Sequence, residues 1–175
     1  MPINFLQTGC KTESNQQLFG LCDNPDPAKD PAYIDELDDT KWIAEVTNNL
    51  GTLIEFFAVD HCQNIKPLRP NLEAAKRCDG ILKNGNNLSF VELKDRDHRG
   101  WISGGRKQIT ETIQFFHANH DLTTYANVDA YVANKQRPLA VTGSYSEVQK
   151  FKDETAVILN NQGLLLNIDR NILIQ

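Results

Sequence analysis

The sequence lacks the features that define several broad classes of protein. No apolar run reaches the ~20 residues that a membrane-spanning helix needs, so we expect no membrane partner. The first residues, MPINFLQTGCKTESNQQ, lack a basic start followed by an apolar block, and no secretory signal is predicted. Repeats and low-complexity blocks are also missing. We therefore expect a cytoplasmic globular protein, and its 175 residues suffice for one main core.

Cysteine pairs with the Cys-x-x-Cys spacing are absent as well. The chain has four cysteines, Cys10, Cys22, Cys62 and Cys78. Reduced thiols are the simplest expectation for such a pattern in a cytoplasm. A zinc site built from His61, Cys62 and Cys78 is a weaker alternative, because its spacing matches no common zinc pattern.

An overall positive charge is missing too. The net charge of -5 argues against a protein that coats nucleic acid by bulk attraction. The distribution is uneven, however, because residues 66–107 hold ten Lys+Arg against five Asp+Glu. This basic band indicates either a polyanion-binding face or chance clustering. Five of its residues are expected to face a phosphate backbone: Lys66, Arg69, Arg99, Arg106 and Lys107.

Prolines concentrate in one segment near the N-terminus. Residues 23–31, DNPDPAKDP, predict a loop that separates an N-terminal arm from an α/β domain over 32–175. Arm and loop together span residues 1–31. Four apolar side chains of the arm are expected to dock on the core: Phe5, Leu6, Leu18 and Phe19.

The next two segments predict a helix and a strand. In DELDDTKWIAEVTNNLG, Asp39 or Thr40 can cap a helix that Gly51 closes, and the helix would carry Glu45. Its apolar residues fall at helical spacing: Trp42, Ile43, Val46 and Leu50. The run TLIEFFAVDHC predicts a strand, with further helix as the alternative.

Residues 78–94 predict a β-hairpin. CDGIL is one strand, LSFVELK the other, and the Asn-Gly pair in KNGNN is a strong turn signal. A loop over 96–105 and a helix over 105–118, with Ser103 as a candidate cap, follow. Beyond them we expect a strand at 128–135, another strand or a turn into one at 137–143, a helix at 144–154 and a terminal hairpin from TAVILN and LLLNI. This order indicates an α/β fold with a mixed central β-sheet flanked by helices.

Charged side chains cluster at one end of the predicted hairpin. Glu92 and Lys94 are two residues apart and share a strand face, whereas Val91 and Leu93 point to the opposite face and into the core. Cross-strand pairing brings Asp79 near them. Two carboxylates at this separation suit Mg²⁺, and the carbonyl of Leu93 is a further candidate ligand.

These residues resemble the PD-(D/E)XK nuclease superfamily. The motif reads Cys78-Asp79 and then Glu92-Leu93-Lys94, with Cys78 in place of the usual proline. The resemblance covers about residues 40–135. It implies a restriction-endonuclease-like fold and Mg²⁺-dependent phosphodiester cleavage, with Mn²⁺ as a substitute.

The resemblance also assigns roles to single residues. It implies that Asp79 and Glu92 hold the metal and that Lys94 orients the attacking water. Glu45 matches the family's helix glutamate by position, and Glu55 replaces it if TLIEFFAVD is helical. Gln108 matches a polar residue that some members place on the following helix.

The expected function is therefore a metal-dependent nuclease, with DNA as the favoured substrate in restriction, repair or phage defence. So short a chain would need a homodimer, a partner subunit or structure-selective recognition. Three alternatives remain open. In the first, the charged hairpin is an ordinary solvated surface. In the second, the nuclease-like fold is a non-catalytic binding or immunity module, and in the third, the protein is a toxin-type nuclease that cleaves RNA.

Three other features suggest weaker sites. His117 and His120 could bind a metal near a helix end, although capping or exposure is the more ordinary role. Backbone N–H groups at Ser103-Gly104-Gly105 could hold a phosphate. Trp101 could stack on a base or anchor the core.

Overall fold

The computed structural model describes residues 2–65, 75–138 and 144–175, which form three layers. The central layer is a six-stranded mixed sheet in the order β1-β5-β6-β7-β8-β9. Its strands are β1 (Lys11–Ser14), β5 (Ile54–Ala58), β6 (Gly80–Asn84), β7 (Asn87–Lys94), β8 (Asn127–Asn134) and β9 (Leu165–Asn167). The helices α1 (Trp101–Asn119) and α2 (Ser144–Ile158) cover one face.

A four-stranded mixed sheet covers the other face. Its order is β10-β4-β2-β3, with the strands β2 (Leu18–Cys22), β3 (Tyr33–Asp35), β4 (Ala44–Asn48) and β10 (Asn171–Ile174). The expected mixed α/β class is confirmed. No helix in the described ranges is long and apolar enough to cross a membrane.

Alternation along the central strands creates two separate cores. Ile81 and Phe90 pack toward the helices, whereas their neighbours Leu82 and Val91 pack toward the second sheet. Because both faces of the central sheet are covered, its inner strands are apolar on both sides. Leu93 lies in the core between the sheets, as predicted for it and Val91.

The predicted helix over the Trp42 segment is wrong. The chain forms a 3₁₀ turn at Asp39–Lys41, capped by the Asp38 side chain, and then the strand β4. Ala44, Val46 and Asn48 are buried while the residues between them are half-buried, which is a period of two. Pairing with β2 and β10 selects this period over the helical one. The sequence of the Trp42 segment by itself does not reveal these pairing partners.

The predicted C-terminal hairpin is also wrong. Residues 155–158 extend α2, and Asn160 and Asn161 then adopt left-handed conformations that turn the chain away. The two short strands that follow join different sheets. β9 runs parallel to β8, and β10 runs parallel to β4.

Other predicted elements agree better. The strand at β5, the hairpin, the strand at β8 and the helix α2 are all present. The loop expected over 96–105 ends early, because α1 begins at Trp101 after Gly100, whose φ of 88° favours glycine. Ser103 therefore lies within the first turn and does not cap the helix. The strand expected at 137–143 falls mostly outside the described residues.

The N-terminal arm is built into both sheets. β1 pairs with β5, β2 pairs with β4, and Phe5 and Phe19 are fully buried as predicted. A disulfide joins Cys10 to Cys62, so the expectation of four reduced thiols is wrong for this pair. Zinc binding by Cys62 is thereby ruled out, because its sulfur is already bonded.

Candidate metal centre at the end of the hairpin

The β6–β7 hairpin brings the three motif residues together. Gly80 pairs with Val91 and Asn84 with Asn87, so the turn has only two residues, and Gly85 adopts a φ of 55° that suits glycine. Continuing this register places Asp79 opposite Glu92. The Asp79 carboxylate accepts a hydrogen bond of 2.6 Å from the backbone N–H of Leu93.

Glu92 and Lys94 point toward α1 rather than into solvent. Glu92 is 1% exposed and Asp79 is 8% exposed, so the alternative of a solvated hairpin surface is wrong. Gly105 allows the helix to come this close. A Cβ at that position would lie 3.2 Å from the Glu92 Cγ and 2.8 Å from a Val132 methyl carbon.

Lys94 is held between a carboxylate and an amide. Its Nζ forms an ion pair with the Glu92 Oε1 and donates a 2.9 Å hydrogen bond to the Gln108 Oε1. Gln108 is fixed in turn, because its Nε2 donates to the Arg77 carbonyl at 2.9 Å. The structure thus places Gln108 beside the motif lysine, where the family resemblance expected a polar helix residue.

The second Glu92 oxygen has no protein partner. Glu92 Oε2 is fully buried and accepts no hydrogen bond from any described residue. Burial raises the pKa of Glu92 to about 7, although the neighbouring Lys94 lowers it. The charges of Asp60 and Asp23 raise it further. Burial and the Glu92 charge likewise raise the pKa of Asp79 well above its ordinary value. Burial and the closeness of the two carboxyls therefore both favour the protonated forms when no cation is bound.

A cavity of about 480 Å³ opens in front of these carboxyls. Asp23 and Asp60 also line it, and sequence reasoning missed both. Asp60 lies two residues beyond the end of β5, and its backbone N–H donates to the Cys78 carbonyl. The run TLIEFFAVDHC, predicted as a strand, already contains Asp60, so pairing that run with CDGIL would have placed it beside Asp79. Asp23 comes from the proline-rich loop, and no sequence pattern links that loop to the hairpin.

The residues present fit a small hard cation. Mg²⁺ takes oxygen ligands, accepts one or two carboxylates and keeps several waters. Asp79 and Glu92 would supply carboxylates, and the unpartnered Glu92 oxygen is available to a metal. The Lys94 carbonyl accepts a hydrogen bond from the backbone N–H of Lys135, the residue that follows β8. The N–H and carbonyl of Leu93 therefore point to the opposite side of the strand, toward Asp79. Within the described residues, no three or more His, Cys, Asp or Glu side chains form a preassembled metal cage. The fit therefore rests on the two carboxylates.

The two candidate helix glutamates lie elsewhere. Glu45 is on β4 in the second sheet, paired with Gly20 and Asn171, so its assignment to a helix is wrong. Glu55 is on a strand as well, and its carboxylate forms ion pairs with Lys11 and Lys83. Neither is among the described residues that line the cavity.

The basic band divides into different environments. Arg106 is 5% exposed and forms ion pairs with Glu147 and Glu154 of α2, so the expectation that it faces a phosphate backbone is wrong. Arg99 and Lys107 are exposed. Lys66 and Arg69 lie outside the described residues.

The weaker candidates have structural roles. Trp101 is buried in the core between α1 and the central sheet, so it anchors the core and does not stack on a base. His120 accepts a hydrogen bond from the Phe5 backbone and stacks on Phe116. His117 accepts one from the Leu122 backbone, which is the expected capping role. Ser103-Gly104-Gly105 is within α1.

Comparison with known proteins adds no relative. No protein-family model, no curated protein and no solved structure matches this chain.

Proposed function

We propose that this protein is a metal-dependent nuclease that hydrolyses phosphodiester bonds, with DNA as the favoured substrate, on a restriction-endonuclease-like fold. One observation carries the proposal: a buried Glu92 oxygen without a hydrogen-bond partner among the described residues, beside Asp79 and in front of a cavity. Structural carboxylates that are this deeply buried are normally fully hydrogen-bonded. An oxygen left free inside such a site is available to a cation.

Chain order supports the same proposal. Three antiparallel strands, β5 to β7, lead through α1 to β8, which lies parallel to β7. This order agrees with the strand–helix–strand arrangement that the resemblance to PD-(D/E)XK nucleases implies. The preceding helix is replaced by β4, and Asp60 at the end of β5 supplies an acidic side chain near the site instead.

Each residue has a distinct role in the proposed reaction. Asp79 and Glu92 bind Mg²⁺, and the Leu93 carbonyl is a third candidate ligand. The ion, when bound, polarises the phosphate and lowers the pKa of a water. Lys94, fixed by Glu92 and Gln108, would orient the attacking water and stabilise the negative charge that develops on the phosphoryl oxygens. Arg99 and Lys107 contact the phosphate backbone from the rim.

The test separates metal binding from cleavage. The full chain is mixed with plasmid, linear DNA or RNA in Mg²⁺, Mn²⁺ or excess EDTA, and Mn²⁺ binding is measured by calorimetry. We expect cleavage only with metal, and loss of both readouts in Asp79→Asn. Asp153→Asn, on the exposed surface of α2, is the matched control.

Two results would overturn the proposal. Cleavage that persists in excess EDTA would exclude the metal mechanism. Absence of Mn²⁺ binding by the unmodified protein would exclude the site itself. Metal binding without cleavage of any substrate would favour the non-catalytic binding module.

A further inference from the structure

A second cavity lies at the other end of β7 and on the opposite face of the central sheet. It has a volume of about 490 Å³ and is lined by β7, β8 and β9, with Leu173 of β10 in its wall. Ser89 pairs with Asp129, and Asn87 pairs with Asn127. The face between the sheets is therefore polar here, although it is apolar further along the same strands, where Val91 packs into the core.

A carboxylate without a counter-ion sits on the floor of this cavity. Asp129 is half-buried and accepts hydrogen bonds from the Ser89 hydroxyl at 2.5 Å and from the Asn167 amide at 3.5 Å. No Lys, Arg or His in the described part of the chain lies within ion-pair distance of it. Burial raises the pKa of Asp129, opposed by those two hydrogen bonds. Neutral donors alone leave much of the carboxylate charge uncompensated.

The lining determines which ligands can enter. Among the described residues that line the cavity there is no Lys, Arg or His, so a phosphate or another anion would find no counter-charge. The carboxylate and the neighbouring amides provide acceptors for N–H donors. Leu165 and Leu173 at the rim are 58% and 46% exposed, and they offer apolar surface to a hydrocarbon chain.

We propose that this cavity binds an organic cation, an ammonium or guanidinium group on a short aliphatic chain, with the Asp129 carboxylate as its counter-ion. The charged group hydrogen-bonds to Asp129 and to the amide oxygens beside it. The aliphatic part lies against Leu165 and Leu173. This site is separate from the proposed nuclease centre, because Glu92 faces α1 while Ser89 faces the second sheet.

The experiment uses simple probes on the full chain. Backbone amide shifts are followed by NMR during titration with n-butylammonium, n-butylguanidinium and neutral n-butanol, at constant ionic strength. A ligand of about five to eight heavy atoms can reach a Kd on the order of 1–10 mM. We expect saturable shifts centred on Ser89, Asp129 and Tyr131 for a cation, and whichever cation binds more tightly identifies the charged group.

Two variants test the role of the carboxylate. Asp129→Asn keeps the shape and the bond from Ser89 but removes the charge, and it should weaken cation binding about tenfold or more, as expected for a charge-assisted hydrogen bond. Asp153→Asn, on the exposed surface of α2, should bind like the unmodified protein. If Asp129→Asn does not fold, Asn127→Trp places a bulky side chain at the exposed mouth and should abolish binding.

Several outcomes would overturn this proposal. The first is an absence of saturable shifts, and the second is equal affinity for n-butanol and n-butylammonium. The third is unchanged cation affinity in Asp129→Asn, or in Asn127→Trp where Asp129→Asn does not fold. None of them bears on metal binding at Asp79 and Glu92, so the two proposals stand or fall separately.

Discussion

Replacing Glu92 by glutamine should stabilise the metal-free protein at alkaline pH. Glu92 is 1% exposed, and burial raises its pKa from 4.5 to about 7 even though Lys94 is paired with it. The folded state therefore disfavours the charged carboxylate. Below pH 4.5 the group is protonated in both states and costs nothing. The cost grows as the pH rises from about 4.5 to 7 and is constant above that.

The size of the effect follows from the pKa shift. At 1.36 kcal/mol per pKa unit, the charged form costs roughly 3 kcal/mol of unfolding free energy at pH 8. Glutamine resembles the protonated form and can still accept from Lys94. The melting temperature in EDTA at pH 8 should therefore rise by about 6–12 °C in Glu92→Gln, since 1 kcal/mol shifts the melting temperature of a chain of this length by ~2–4 °C. At pH 4 the two proteins should melt alike.

Metal should reverse the order of stability. A cation that binds only the folded state stabilises it more the tighter it binds, and in the proposed metal centre Glu92 is one of the two carboxylate ligands. Added Mg²⁺ should raise its melting temperature more than that of Glu92→Gln. Glu36→Gln, at an exposed position, should change neither melt. A variant that is less stable than the unmodified protein at pH 8 in EDTA would refute the reasoning, because the charged carboxylate would then be well paired.

Three further predictions concern neighbouring residues. Lys94→Ala should lower the cleavage rate by about 10²–10³-fold while DNA binding, measured by fluorescence anisotropy, changes little; cleavage at the unmodified rate would remove Lys94 from the mechanism. Gly105→Ala should cost about 1–3 kcal/mol in chemical denaturation, because its Cβ would lie 2.8 Å from a methyl carbon of β8. At Gly104 an added Cβ would have no atom of the described residues within 4 Å, so Gly104→Ala should stabilise the protein by about 0.5–1 kcal/mol. Equal changes in stability for the two variants would contradict the close packing at Gly105. Arg106→Met should cost about 1–3 kcal/mol by removing the ion pairs with Glu147 and Glu154, which keep Lys150 and Thr110 as partners, without altering the salt dependence of DNA binding. Lys107→Met should reduce the salt dependence of DNA binding and leave the stability unchanged. If Arg106→Met reduced the salt dependence and Lys107→Met lowered the stability instead, Arg106 and not Lys107 would be the residue on the surface.

Local patterns in the sequence predicted the hairpin and most of the motif. The two-residue turn of Gly85 and Asn86, which the Asn84-Gly85 pair signalled, fixes the register of β6 and β7, and the register brings Asp79 to Glu92. The two-residue period then places Lys94 on the face of Glu92. Helical spacing in 105–118 also identified α1 and, with it, the position of Gln108. These inferences succeeded because neighbours along the chain determine them.

Only the tertiary structure decided the environment of those residues. The Trp42 segment satisfies both a helical and a strand period, and pairing with β2 and β10, far away in the chain, selects the strand. The same long-range packing turns Arg106 toward α2 and brings Asp23 and Asp60 to the cavity. Burial of Glu92 beneath α1 depends on the missing side chain of Gly105. Chain order predicts which residues are neighbours on a strand. The layers packed around that strand determine whether a carboxylate there is solvated or buried, and this burial determines the pKa of the carboxylate and the ligands that it can bind.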